Sequence, residues 1–331
     1  MSPITSVPQP PGRARLRLPG PAQPSTRGKQ IMSLFWATRA TGPLRAALPR
    51  GCRALAAVAA LALPLATGAA AAASASPATI SYRVTTIPAG DCPTGLDANP
   101  VTGRVYVADI CDSTLSVING RTNEITDTIG VGGGPIGAAV NPVTNTVYTA
   151  NFLGGTVSVI NGQTTTVTAT IPGGRRPTAV AVNPLTNTAY VANNVDHTVS
   201  VINGRTNEVT ATIGVGTNPF GVAVNPFTDT VYVANQVDNT VSVINGRTNE
   251  VTATIGVGGG PLGVAVNPLT NRVYVTNGDD GTVSVINGRT NEVTATIGVG
   301  NTPTGVAVNL PTGRIYVANQ GDGTISVITP G

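Results

Sequence analysis

The sequence predicts an all-β protein built as a ring of repeated four-stranded units, and three observations carry that prediction. First, Asn99, Asn141, Asn183, Asn225, Asn267 and Asn309 recur every 42 residues, as do Tyr106, Tyr148, Tyr190, Tyr232, Tyr274 and Tyr316. Second, each repeat holds four short runs dominated by Val, Ile, Thr and Tyr, with near period-two alternation and turn residues between them. Third, 40 Gly and 26 Pro in 331 residues, with only 10% charged residues, suit turns and strands. A helical bundle or coiled coil needs the opposite composition.

In the repeat at 261–302 the runs are 263–267, 272–276, 282–286 and 292–297, here called strands a to d. Asn-Pro-Leu-Thr-Asn, Asn-Gly-Asp-Asp-Gly and Asn-Gly-Arg-Thr-Asn separate them, each a turn former through a side chain that bonds nearby backbone or a tolerated positive φ. Four antiparallel strands in about 40 residues make a β-propeller blade. Six such repeats predict six blades over residues 79–331. The chain ends support a ring over an open solenoid: the last repeat stops at Ile328 after strand c, and a spare d-like run at 80–87 precedes the first. In a ring that spare strand completes the last blade and leaves no edge open. Ala139, Ala181, Ala223, Ala265 and Ala307 hold the middle of strand a, read as the small residues that let inner strands crowd the axis.

The net charge of +4 divides unevenly along the chain. Residues 1–78 carry nine of the 19 basic residues and no acid; the remainder carries ten Arg, no Lys and all 15 acids, a net of −5. A Lys-free acidic domain cannot supply the phosphate contacts that dominate nucleic-acid affinity, so no nucleic-acid partner is expected. The basic segment reads as a leader. A positive stretch at 45–53 precedes an apolar, Ala-rich run at 54–73, followed by small residues to Ala78, the layout of a secretory signal peptide. Met32 would be a more ordinary start, making 1–31, a Pro- and Arg-rich stretch, a candidate misassigned start without structure of its own. Pro64 and the Ala-rich run argue against a permanent anchor, so no stable membrane insertion is expected after cleavage. The expected location is outside the cell, secreted or at its surface, as a monomer. Cys92 and Cys111 are then the only cysteines of the exported chain, read as a disulfide between the d–a and b–c loops of the first blade.

The strand-b motif reads Tyr-Val-Ala-Asn at 190–193, 232–235 and 316–319, and Tyr-Val-Thr-Asn at 274–277, followed in most repeats by Thr-Val-Ser-Val-Ile. With these motifs the chain resembles the YVTN-type β-propeller repeat family of surface-layer and exported bacterial proteins, over essentially all of residues 80–331. The resemblance implies a secreted or surface-associated scaffold whose repeated residues are structural. Family members are typically seven-bladed, whereas this sequence has six repeats. It does not resemble a WD40 protein, since the exported region has no Trp.

Loops b–c and d–a of a propeller open on one face, here the upper, and loops a–b and c–d on the lower. The lower face repeats Arg205 with Glu208, Arg247 with Glu250 and Arg289 with Glu292, read as a solvated, solubilising face. The upper face carries Asp112, Asp196, Asp238, Asp280 and Asp322, read as turn carboxylates bonding local backbone. Departures from the repeat mark candidate sites. In blade 1, Asp97 replaces the strand-a Ala, and Asp91, Asp109 and Asp112 are candidate oxygen ligands for Ca2+; no other cofactor is expected. Asp97, placed inside a sheet, is the carboxylate most exposed to desolvation. Arg175, Arg176 and His197, with Phe152 and Phe220 read as loop residues, form a candidate site for an anionic or sugar ligand on the upper face. The functional expectation is a non-enzymatic binding scaffold for protein or cell-envelope glycan, with no catalytic residue assigned. The rival is a propeller enzyme, a lactonase or streptogramin-type lyase working at the upper face, where Asp97 or His197 would have to serve because all four Glu fall at c–d hairpins.

Overall fold

The computed structural model describes residues 86–330. Blade 1 comprises β1 (Pro93–Asn99), β2 (Arg104–Asp109), β3 (Thr114–Asn119) and β4 (Glu124–Gly130). Blade 2 comprises β5 (Pro135–Asn141), β6 (Thr146–Asn151), β7 (Thr156–Asn161) and β8 (Thr166–Pro172). Blade 3 follows with β9 (Pro177–Asn183), β10 (Thr188–Asn193), β11 (Thr198–Asn203) and β12 (Glu208–Gly214). Blade 4 has β13 (Pro219–Asn225), β14 (Thr230–Asn235), β15 (Thr240–Asn245) and β16 (Glu250–Gly256), and blade 5 has β17 (Pro261–Asn267), β18 (Arg272–Asn277), β19 (Thr282–Asn287) and β20 (Glu292–Gly298). Blade 6 shows β21 (Pro303–Val308), β22 (Ile315–Asn319) and β23 (Thr324–Ile328). Each strand pairs antiparallel with the next, giving five four-stranded sheets and a three-stranded one among the described residues. No helix among them is long and apolar enough to cross a membrane.

The strands extend one or two residues beyond the runs read from sequence, because the flanking Pro and Asn still pair across the turn, as Pro261 does with Asn277. The leader, with its export and cleavage reading, lies outside the described residues, as does most of the closing run at 80–87; Thr86 and Ile87 are described and lie in no strand.

Inner strands pack blade against blade, β1 on β5, β5 on β9, β9 on β13, β13 on β17 and β17 on β21. Both blade faces contribute to the core, and each does so to a different neighbour. Tyr190, Ala192, Val199 and Val201 on one face of blade 3 pack against Val222, Val231, Val233 and Ile244 of blade 4. The same Tyr-face to Val-face contact joins blades 2 and 3, and blades 4 and 5. Burying a Val or Ile side chain contributes about 1.5–3 kcal/mol, so the seams, more than any single sheet, hold the fold together.

Polar groups key four of the five seams. Asn99 Nδ2 donates to Asn145 Oδ1, Asn141 to Asn187, Asn183 to Asp229 and Asn225 to Asn271, at 2.6–2.8 Å. The Oδ1 atoms of the same donor Asn side chains accept the backbone N–H two residues on, and Asn99 and Asn141 accept the one three residues on as well. One side chain thus shapes the a–b turn and joins two blades.

In blades 1, 2, 4 and 5 crowding at the axis is met by glycine two positions before the residue that the sequence singled out, while blade 3 has Ala179 there. A Cβ on Gly95 would lie 2.3 Å from Ile136 O, and on Gly221 or Gly263 2.2 Å from Leu262 O or Thr304 O of the next inner strand. Ala139 is buried, but Ala181, Ala223 and Ala265 are only half-buried. At Gly95, Gly221 and Gly263 only Gly permits so close a backbone approach.

Candidate functional site

Strand b ends in an Asn that is buried in blades 2 to 6. Asn151, Asn193, Asn235, Asn277 and Asn319 each donate from Nδ2 to a Thr and a Ser hydroxyl of strand c at 2.8–3.2 Å. In blade 1 the polarity reverses, with Ser116 Oγ and Thr114 Oγ1 donating to Asp109 Oδ2 at 2.7 and 3.3 Å. Burial raises the Asp109 pKa, opposed by these hydroxyls. The YVTN motif residues are therefore fold residues.

The repeated upper-face carboxylates bond a different loop from the one expected. Oδ2 of Asp112, Asp196, Asp238, Asp280 and Asp322 accepts the N–H of Asp91, Arg175, Thr217, Gly259 and Asn301, 21 residues earlier, at 2.6–2.7 Å. These are clasps between the b–c and d–a loops, not local turns. Blade 2 has Gly154 at that position, whose N–H donates to Gly133 O.

In blade 1 the clasp runs beside a disulfide between Cys92 and Cys111, whose Cα atoms are 5.6 Å apart. Asp91 takes part through its backbone N–H, with its side chain exposed. Asp109 is fully buried beneath Gly90, where an added Cβ would lie 2.6 Å from its carboxylate carbon. Among the described residues no three His, Cys, Asp or Glu side chains gather as metal ligands. Asp97 accepts from Val140 N of the neighbouring inner strand and from Ala98 N, both at 2.8 Å. Burial raises its pKa against the pull of those two bonds.

The second cluster assembles in part. Arg176 lies over the Phe152 ring, 5.3 Å from its centroid. Arg175 Nε meets Asp196 Oδ1 at 2.5 Å, which holds the Asp196 carboxyl below the usual range. His197 Nδ1 accepts the Asn218 N–H at 3.1 Å and bridges to the next loop. Phe152 lies in the b–c turn as expected, but Phe220 belongs to β13 and not to a loop. Its carbonyl accepts Thr178 Oγ1 at 2.8 Å.

The lower face holds a feature that the sequence reading passed over. A groove of about 360 Å³ lies at the seam of blades 3 and 4, lined by Thr186, Thr188, Val201, Asn203, Arg205, Thr210, Gly246 and Asn249. Glu208, the expected partner of Arg205, is not in its wall, and the one ion pair among the described residues is Arg175–Asp196. Under Gly246 lies the Tyr190 hydroxyl, whose pKa burial and Asp229 push up to about 12. Thr and Asn in turns carry no separate signal of a wall; only the 42-residue spacing that stacks strand c against the next hairpin could have revealed it.

Blade order, seams and loop faces define a β-propeller of six blades. Residues 176–269 match the YNCE-like β-propeller family, consistent with the YVTN-type repeats. Among solved structures, hydrazine synthase of Kuenenia stuttgartiensis superposes with a TM-score of 0.54 at 15% identity, covering 76% of this chain and 99% of that one; that likeness is one of fold. No curated protein matches the chain in sequence.

Proposed function

We propose that the chain is an exported, non-enzymatic binding module that holds a protein or an envelope glycan at or outside the cell surface. The observation that carries this reading is the use of the polar upper-face residues: five carboxylates clasp backbone N–H groups, and His197 accepts another. Such bonds make a rigid frame for loop display, and propellers present variable loops on a common frame. The Cys92–Cys111 disulfide favours an oxidising compartment, in keeping with the leader.

The enzyme reading needs Asp97 or His197 as acid or base. Asp97 already accepts two backbone N–H groups, and His197 offers Nδ1 to Asn218, which supports the binding reading. The test expresses the full chain with its own leader and a C-terminal tag, then incubates the recovered protein with cell-envelope fractions. Retention of a defined envelope component is the expected result. Recovery inside the cell with Cys92 and Cys111 reduced, or a turnover abolished by His197→Ala in a folded protein, would overturn it.

A further inference from the structure

The side chain that ends each strand b lies under a glycine of the d–a loop. A Cβ on Gly132, Gly174, Gly216, Gly258 or Gly300 would lie 2.6–2.7 Å from the amide carbon of Asn151, Asn193, Asn235, Asn277 or Asn319. Gly90 covers Asp109 in the same way, at 2.6 Å from its carboxylate carbon. The glycine lid is common to all six blades, but what it covers is not. Five lids close over a neutral amide; the lid of blade 1 closes over a fully buried carboxyl group. Oδ1 of that group has no protein partner, as in the five Asn. Burying a carboxylate costs far more than burying an amide, and the neighbouring Asp112 carboxylate repels it. The pull of water on Asp109 therefore works to lift this one lid.

Ordinary bonds hold the blade 1 lid less firmly than its counterparts. Ile110 N–H reaches Cys92 O at 3.3 Å, where the matching bond in blades 2 to 6 is 2.9–3.1 Å. The other d–a loops follow β4, β8, β12, β16 and β20, whereas no described strand leads into Gly90. The disulfide sits in this same lid. Cys92 lies two residues after Gly90 and is bonded to Cys111, two residues after Asp109. Both cysteines are half-buried, so the bridge is open to solvent on the upper face. One carboxyl group where five blades have an amide, and one disulfide where five have none, thus meet across a single lid.

We propose that the Cys92–Cys111 disulfide is a redox latch that holds the Gly90 lid over the buried Asp109, and that a dithiol reductant releases it. One thiolate of the dithiol attacks a bridge sulfur and displaces the other as thiolate; the second thiol of the reductant then resolves the mixed disulfide. Two electrons pass to the bridge, the cysteines end as two thiols, and the reductant ends as its own disulfide. Water then reaches Asp109 and the upper loops of blade 1 open. The buried core shared by blades 1 and 2 contains neither cysteine nor Asp109, so the opening stays in the loops.

The test is amide hydrogen–deuterium exchange of the full oxidised chain with and without dithiothreitol, with alkylation to locate free thiols. Dithiothreitol should free Cys92 and Cys111 in the folded protein and speed exchange of the Asp91, Ile110 and Cys111 N–H groups at least about tenfold. The matching N–H groups of blade 4, those of Thr217, Gln236 and Val237, should keep their rates within about twofold. Asp109→Asn gives blade 1 the residue that the other five blades use. Its reduced form should hold the lid N–H groups within about twofold of the oxidised rate. The C92S/C111S pair should show the fast exchange without reductant, and adding Asp109→Asn to it should restore protection. Thiols that stay bonded under dithiothreitol, unchanged exchange after reduction, equal loosening in Asp109→Asn, or acceleration shared by blade 4 would each overturn the proposal.

Discussion

Tyr232 and Tyr316 stand at the same position of the same Tyr-Val-Ala-Asn motif, yet Tyr232 is fully buried and Tyr316 is 36% exposed. The contrast extends along their blades. Val241 and Val243 of blade 4 are 0% and 2% exposed, while Ile325 and Val327 of blade 6 are 62% and 51% exposed. At the other end, Leu96 of blade 1 is 64% exposed where Val180 and Val222 are 8%. Among the described residues, blade 6 has no following blade packed on its Tyr face and blade 1 no preceding one on its Val face. An added Cβ on Gly305 would meet no neighbouring inner strand, unlike its counterparts Gly221 and Gly263. Burial here is conferred by the next repeat, as nearest-neighbour energetics of repeat proteins require.

The largest expected effect breaks an interior seam. Tyr232→Ala should cost about 3–5 kcal/mol, the usual range for truncating a buried aromatic, whereas Tyr316→Ala should cost well under half of that. Urea unfolding of both variants checks the difference; equal costs would mean that blades 1 and 6 cover one another in solution and that the contrast is void.

Next comes the polar key. Asn183 Nδ2 donates to the buried Asp229 carboxylate, while Asn267, one blade from the end, has Gly313 as the residue 46 positions on, with no side chain to accept. Both Asn side chains still shape their turns. Asn183→Ala should therefore cost about 1.5–3 kcal/mol more than Asn267→Ala, the worth of a hydrogen bond to a charged group. The same urea series measures it.

The smallest effect is a change of pH profile in blade 1. Burial raises the Asp97 pKa from 3.8, so the folded state holds this proton more tightly than the unfolded chain. Stability from Asp97 is thus fully present below 3.8 and is lost as pH rises through the raised folded value. Asp97→Asn removes that decline and keeps an acceptor for Val140 N. Unfolding midpoints of the two proteins should converge at low pH and diverge, with the variant more stable, as pH rises. Parallel profiles would sink this assignment.

How much of this was legible in the sequence follows the same division. Strands, turns and blade number came from local pattern, because Val, Ile, Thr and Tyr alternate within a repeat and Asn and Gly punctuate it. The disulfide was legible because residues 79–331 hold only two cysteines. What lies between repeats was not. Asp196 looks like a turn residue until its partner, Arg175 N, appears 21 residues earlier. Gly263 reads only as the first residue of strand a until the Thr304 carbonyl of the next blade comes beside it. Tyr316 and Tyr232 are both preceded by a β-branched residue and followed by Val-Ala-Asn-Gln, so no local signal separates them. Thr186 and Asn249 belong to separate turns and Asn203 ends a strand, and only the seam makes them a wall.

The Asn keys also bear on how such a chain grows. Each joins a donor to an acceptor 46 residues later, one full repeat and four residues on. Copying any whole repeat therefore inserts one donor and one acceptor together, and the new unit meets both neighbours with the bonds they already expect. Gly103 and Gly313 fill the acceptor position in the first and last blades, where the series stops. Interior repeats can be gained or lost by tandem duplication without a compensating change elsewhere, while the two end blades are free to diverge, and blade 1 has used that freedom for its aspartates and its disulfide.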